Sequence, residues 1–244
     1  MPPSHPLDKG SGAGTYEVLM RDVTVIIPAA GSGRRFGAGH NKIVAVLAGR
    51  PILLRTVSLF AGRDDVCQVQ LVVSADDRDA IVRDFGTELD RLGVQLTTGG
   101  PTRSQSVRNA LERLRPQSRY VCVHDAVRPC VSGLWVDAVF AKARRTGAAI
   151  LAYPVHGTLK LANAQGVITA TLPRQELWEA QTPQVFERGL LEQAYAAGTD
   201  ATDDAHLVER LGKPVSVVTG DPRNIKITTP RDLELAAAVL GSLP

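Results

Sequence analysis

The segment Ala29-Ala30-Gly31-Ser32-Gly33-Arg34-Arg35 has the residue types for binding phosphate, and Lys42 follows seven residues after Arg35. Glycines at 31 and 33 let backbone N–H groups approach phosphate oxygens closely. Two cations at this spacing can neutralise charge on a phosphoryl group in transit. From Val23 to Arg63 the chain has no Asp or Glu, whereas Arg34, Arg35, Lys42, Arg50, Arg55 and Arg63 all fall there. An acid-free stretch of this kind suits a polyanion, although a solvated basic face is an equal reading of the charge alone. Two familiar glycine loops are excluded. A dinucleotide fingerprint needs a third glycine where Phe36 stands and an acid about 20 residues on. A P-loop needs Gly-Lys-Ser/Thr, but Lys42 lies between Asn41 and Ile43.

The elements that must position this loop follow from hydrophobic patterning. A β-branched run over 23–27 reads as a buried strand. The loop 28–39 follows, then a helix over 51–60 with Pro51 in its first turn. Strands at 69–73, 94–97, 120–124 and 148–155 alternate with helices at 76–92, 104–115 (Ser104 as a possible N-cap) and 134–146. This alternation predicts a doubly wound α/β domain with a mostly parallel sheet. Ligands then bind beyond the carboxyl ends of the strands, where the loops 28–39, 99–103 and 125–129 should converge. A β-hairpin (158–161 and 167–171, turning at 163–166) interrupts the pattern. An arm over about 156–174 has little core of its own, so it needs a covering surface, for which a second subunit is the natural candidate. Helices at 187–197 and 203–211, strands at 215–219 and 225–227, and a helix from Pro230 complete a single domain over 21–244. Residues 1–20, punctuated by Pro and Gly, read as a flexible extension.

Composition agrees with a soluble, globular chain: 244 residues, 44% hydrophobic and 22% charged. No run approaches the roughly 18 apolar residues of a membrane span, and no secretory signal is legible. Three cysteines without a Cys-x-x-Cys pair suit reduced thiols in the cytoplasm. A net charge of +3 is too mild to argue for nucleic acid.

The ordered set of motifs carries a resemblance. Pro-Ala-Ala-Gly-x-Gly-x-Arg from Pro28, Lys42, and His124-Asp125-Ala126-Val127-Arg128-Pro129 are similar to the cytidylyltransferases acting on 2-C-methyl-D-erythritol 4-phosphate (the IspD family). Thr158, Arg174, Gln181-Thr182-Pro183-Gln184, Thr202-Asp203-Asp204-Ala205 and Asn224-Ile225-Lys226-Ile227-Thr228 continue the match in order and spacing. The resemblance implies a Rossmann-like nucleotidyltransferase fold, attack of the acceptor's phosphate on the α-phosphorus of CTP, and pyrophosphate release.

It also implies roles. Arg35 and Lys42 would stabilise the transition state. Ala29, Ala30, Gly31, Gly33, Gly100, Ser106 and Ala126 would contact the nucleotide, with 99–103 reading the base. Asp125 would ligate Mg2+, an ion that takes few carboxylates and several phosphate oxygens, or else would orient Arg128. Thr158, Arg174 and Lys226 would hold the acceptor, the arm reaching a neighbour's site in a homodimer. His124, Trp178, Thr182 and Asp203 read as structural: a lone core histidine, an anchor, a turn contact and a helix cap. The chain departs from the family pattern at Asn41 (usually Pro), Pro101 (often Asp) and Gly157 (usually Asp). Rival readings are transfer to another polyol phosphate such as ribitol 5-phosphate, and a catalytically silent domain of the same fold.

Overall fold

The computed structural model describes residues 20–31, 41–198 and 201–244. Its first strand, β1 (Val23–Pro28), sorts its side chains by strand periodicity. Val23, Val25 and Ile27 enter one hydrophobic cluster, and Ile26 enters another on the opposite face. The same alternation runs through β4 (Val66–Val73), with Val69, Leu71 and Val73 on the first face and Val72 on the second. Helices cover both faces. On the first lie α1 (Ile52–Ser58), α2 (Ala75–Arg91), α4 (Gly133–Thr146) and α7 (Pro230–Val239). On the second lie α3 (Arg103–Leu111), α5 (Arg188–Ala197) and α6 (Asp204–Arg210).

The remaining strands of the main sheet are β5 (Val94–Thr98), β6 (Tyr120–Val123), β7 (Ala148–Pro154), β10 (Trp178–Glu187) and β11 (Ser216–Thr219). Their order is β11-β7-β10-β6-β1-β4-β5. β10 is antiparallel to both its neighbours, and the other pairings are parallel. This is the expected doubly wound sheet with one reversed strand inside it.

Five of the described α-helices start at side-chain caps, whereas α1 and α5 have none. Ser74, Thr102, Ser132, Asp203 and Thr229 each accept a backbone N–H from three residues on, and Thr229 with Asp232 forms a reciprocal capping box. Asp203 thus has the capping role read from the sequence. Thr102, not Ser104, caps α3.

Three elements differ from the sequence reading. β10 is not anticipated, because Gln181, Thr182, Pro183 and Gln184 break its apolar pattern. The strand accommodates them at an irregularity between Ala180 and Gln184. The short strand expected at 225–227 is irregular backbone, held to the β6 loop by the Ile227 N–H on the Val127 carbonyl (2.9 Å). A small hairpin, β2 (Val46–Leu47) with β3 (Arg50–Pro51), precedes α1. It turns through Ala48 and Gly49, both at positive φ.

The expected arm is present. β8 (Leu159–Ala162) pairs antiparallel with β9 (Ile168–Leu172) around a turn closed by Asn163 and Gly166. Leu161, Val167, Ile168, Leu172, Leu177 and Trp178 are all exposed on it or beside it. Trp178 is therefore not an anchor within this chain. The N-terminal extension falls outside the described residues except for Met20.

Candidate active site

The loops after β1, β5 and β6 converge on a crevice of about 440 Å3 at the carboxyl edge of the sheet. Ala29, Ala30 and Gly31 form one wall, with Asn41, Lys42 and Ile43 beyond them. Gly100, Pro101, Thr102, Arg103 and Ser106 form the opposite wall, and Asp125, Val127 and Lys226 line the rest. Of the residues picked out by sequence, Ala29, Ala30, Gly31, Lys42, Gly100, Ser106, Asp125 and Lys226 are brought together here. Gly33, Arg34 and Arg35 lie outside the described residues.

Two groups are not brought to this crevice. Ala126 is 1% exposed, its N–H donates to the Pro28 carbonyl, and its carbonyl accepts from Thr56 Oγ (2.8 Å). Its peptide groups brace α1 against the β6 loop instead of lining the wall. Thr158 and Arg174 are exposed at the base of the arm, where Arg174 donates to the His156 carbonyl.

The cations of the acid-free stretch divide by task. Arg50 pairs with Glu88, Arg55 donates to the Leu47 and Ala48 carbonyls, and Arg63 pairs with Asp65 and Asp137. These three secure the fold, whereas Lys42 is half-buried in the crevice wall.

The wall formed by 99–106 is built by close approach. A side-chain carbon on Gly99 would lie 2.8 Å from Ala30 Cβ and 2.6 Å from Ser106 Oγ. Only glycine permits β5 to end against the β1 loop here. Ser106, 1% exposed, accepts the Gly100 N–H (3.1 Å) and donates to the Thr102 carbonyl (2.9 Å). Its hydroxyl therefore fixes the loop's curvature while facing the crevice.

Asp125 is the electrostatic centre. Its Oδ1 lies 3.3 Å from Arg103 Nε, and its Oδ2 lies 2.8 Å from Lys226 Nζ and 3.6 Å from Arg128 Nε. Burial opposes its ionisation, but Arg103, Lys226 and Arg128 outweigh burial and hold its carboxyl well below the usual range. Arg103 also reaches Asp204 Oδ2 (2.8 Å), which is fully buried and accepts Tyr195 OH (2.5 Å) on its other oxygen. Burial works against the Arg103 charge, and the carboxylates of Asp204 and Asp125 more than restore it.

Beneath Asp125 lies His124, fully buried, with burial pushing its imidazole down to about 4. The Arg128 carbonyl can only accept, so Nε2 carries the proton (3.0 Å) and Nδ1 accepts from Thr182 Oγ (3.2 Å). Thr182 Oγ in turn accepts the Asp125 N–H (3.1 Å). A neutral histidine and the threonine of the Gln-Thr-Pro-Gln run thus fix the backbone of Asp125, as structural roles for both would have it.

The sequence places Arg103 in the base-reading loop but does not reveal its place at this charged centre. The available signal is its place in the first turn of a helix, where a cation opposes the helix dipole and needs acidic partners. Asp125 and Asp204, from distant parts of the chain, supply them.

The crevice is suited to charge: a backbone-lined wall, several cations and, among the described residues, a single lining carboxylate, on a sheet edge of doubly wound topology. A site of this kind on this fold defines a nucleotidyltransferase. The family model for 2-C-methyl-D-erythritol 4-phosphate cytidylyltransferase matches residues 23–242, and the chain belongs to that family. It is 44% identical over 232 residues to the enzyme of that name from Rhodopirellula baltica, covering 90% of this chain and 95% of the relative. It is 42% identical over 222 residues to that from Dechloromonas aromatica, covering 88% and 96%. The crystal structure of the Thermus thermophilus enzyme superposes with a TM-score of 0.75 at 35% identity, over 90% of this chain and 99% of the other. The 4-diphosphocytidyl-2C-methyl-D-erythritol synthase of Anaerococcus prevotii gives 0.76 at 31%, over 90% and 98%.

Proposed function

We propose that this chain transfers a cytidylyl group from CTP to 2-C-methyl-D-erythritol 4-phosphate, releasing pyrophosphate, in non-mevalonate isoprenoid precursor synthesis. The observation that carries this reading is the convergence of Lys42, Lys226 and the Ala29–Gly31 wall on one crevice of nucleotide size, within a chain of this family. The reaction joins two polyanions in line, so positioning and charge neutralisation dominate.

Lys42, with Arg35 seven residues before it in the sequence, is assigned to the charge that develops on the α-phosphoryl group. Backbone groups of Ala29, Ala30 and Gly31 would receive the triphosphate, and the 99–106 wall the base. Lys226 would hold the acceptor phosphate, and Asp125 would keep Lys226, Arg103 and Arg128 oriented.

Magnesium fits this donor set in one way only. Among the described residues no three or more His, Cys, Asp or Glu side chains converge to hold an ion. Among the described residues Asp125 is the one carboxylate lining the crevice, which suits an ion carried largely on phosphate oxygens. Bound so, Mg2+ would neutralise charge on the triphosphate, with Asp125 its protein ligand.

We assign Thr158 and Arg174 to the acceptor site of a second copy. Their exposure on an arm bearing Leu161, Val167 and Ile168 supports a homodimer with arm exchange. The three free, buried cysteines fit a cytoplasmic setting. No helix among the described residues is long and apolar enough to cross a membrane.

The test is pyrophosphate release with CTP and Mg2+, comparing 2-C-methyl-D-erythritol 4-phosphate with ribitol 5-phosphate. Release with the former alone is expected. Release with ribitol 5-phosphate alone would move the enzyme to another polyol, and CTP binding without release would make it a silent domain.

A further inference from the structure

The residue before Lys42 is held on three sides by its own side chain. Asn41 caps the short 3-10 turn of Lys42–Val44 through Oδ1, which accepts the Ile43 N–H (3.3 Å). Its Nδ2 donates both to the Ala29 carbonyl (3.0 Å) and to Asp77 Oδ2 (2.9 Å). All three contacts agree with one orientation of the amide: two acceptors meet the nitrogen and one donor meets the oxygen.

Each anchor is itself fixed. The Ala29 N–H is bonded to the Val72 carbonyl (2.7 Å), so its carbonyl is held at the end of the sheet. Asp77 accepts Ser74 Oγ (2.6 Å) on the same Oδ2, and its N–H donates back to Ser74, the cap of α2. On the far side, the fully buried Ile43 sinks the turn into the core, and the Ile52 N–H on the Ala45 carbonyl (3.0 Å) closes it against α1. Lys42 thus leaves a turn whose preceding residue is tied at once to β1 and to the first turn of α2.

We propose that Asn41 is a positioning residue for the reaction: its side chain, clamped between Ala29 and Asp77, sets the place from which Lys42 enters the crevice. This inference rests on the assignment of Lys42 to the reacting phosphoryl group. The consequence belongs to the chemical step. A lysine with a looser base still neutralises bound triphosphate, but it meets the charge of the transition state less often. Turnover should fall while nucleotide binding holds.

Asn41→Asp keeps the oxygen that caps Ile43, removes the donor, and sets a second carboxylate against Asp77. Combined with Asp77→Asn, the exchange restores one donor–acceptor bond across the same gap, and the new amide oxygen can still accept from Ser74. We would measure kcat, KM for CTP and the thermal midpoint for Asn41→Asp, Asp77→Asn and the pair, with Lys42→Ala alongside. The expected result is a fall in kcat of about tenfold or more in Asn41→Asp, KM within about threefold, and recovery of at least about fivefold in kcat in the pair.

Wild-type kcat in folded Asn41→Asp, or a pair no faster than the single variant, would overturn the clamp while leaving the role of Lys42 intact if Lys42→Ala is inactive. An active Lys42→Ala would instead remove the assignment on which the clamp depends. Should Asn41→Asp fold poorly, Asn41→Ala still decides: it removes the amide without adding charge, and wild-type kcat in the folded variant would overturn the clamp.

Discussion

Lys226 Nζ lies 2.8 Å from Asp125 Oδ2, and this pair closes the crevice between the β6 loop and the segment leading into α7. The partners are unequal: the Lys226 side chain is 44% exposed, whereas that of Asp125 is 9% exposed. Removing each should therefore have different consequences. Lys226→Met should change stability by about 1 kcal/mol or less, as for exposed pairs, while raising KM for the acceptor about tenfold or more. Asp125→Ala leaves Arg103 and Arg128 short of a carboxylate in a buried site, at a cost of about 3 kcal/mol. Urea unfolding of both variants, with initial rates at varied acceptor, checks the asymmetry. Equal destabilisation would contradict it.

Gly99 marks where the base-side wall touches the phosphate-side wall. In Gly99→Ala the new carbon meets Ala30 Cβ and Ser106 Oγ, neither of which is the far end of a flexible chain. The walls must part, at a cost of about 1–3 kcal/mol for overpacking. KM for CTP should rise about tenfold, with a smaller effect on the acceptor. Calorimetric titration with CTP reads this directly, and unchanged affinity would show that the two loops do not share the nucleotide.

His124 should make stability depend on pH. Its folded value of about 4 lies below the 6.5 of an unfolded histidine. Between those values the unfolded chain binds the extra proton, so stability is full above about pH 6.5 and declines as pH falls toward 4. That difference is worth on the order of 3 kcal/mol across the window. His124→Gln, which keeps a donor for the Arg128 carbonyl, should flatten the profile between about pH 4.5 and 6.5. Parallel profiles for the two proteins would place the acid sensitivity elsewhere.

Arg174 stands on the exposed arm, away from the crevice of its own chain. If the arm completes a neighbour's site, Arg174→Ala should raise the acceptor KM about tenfold while sparing CTP affinity. Mixing it with Lys42→Ala should then restore activity, because one hybrid site carries both intact residues. Sedimentation should show a dimer. A monomer with full activity would sink the shared site.

Much of the site is legible in the sequence because its loops follow strands. The apolar alternation of β1 places Ala29–Gly31 at a sheet edge, and the α/β order brings 99–103 and 125–129 to the same edge. What stays hidden depends on side-chain geometry between distant segments. β10 is obscured because Gln181, Thr182 and Gln184 are buried polar groups whose partners lie far along the chain: Gln181 donates to the Asp221 carbonyl, and Gln184 bonds Asp203 and Ala205. Arg103 signals only that it needs acidic partners; which ones stays hidden, because residues 125 and 204 adjoin it only in space. Ala126 sits in the right motif, but its peptide faces α1 instead of the crevice.

Asn41 shows both limits. The sequence marks it as a departure from a usual proline. Its φ of −63° is one that proline also adopts, so the turn is preserved, and hydrogen bonds hold what a ring would otherwise restrict.

Whether Lys42 acts on the reacting phosphoryl group can be read from single-turnover pyrophosphate release by Lys42→Ala. With saturating CTP, Mg2+ and 2-C-methyl-D-erythritol 4-phosphate, the rate should fall by about 100-fold or more, corresponding to roughly 3 kcal/mol of transition-state stabilisation. The fold and the CTP affinity should stay within a few-fold of wild type. Release at the wild-type rate from the folded variant would contradict the account.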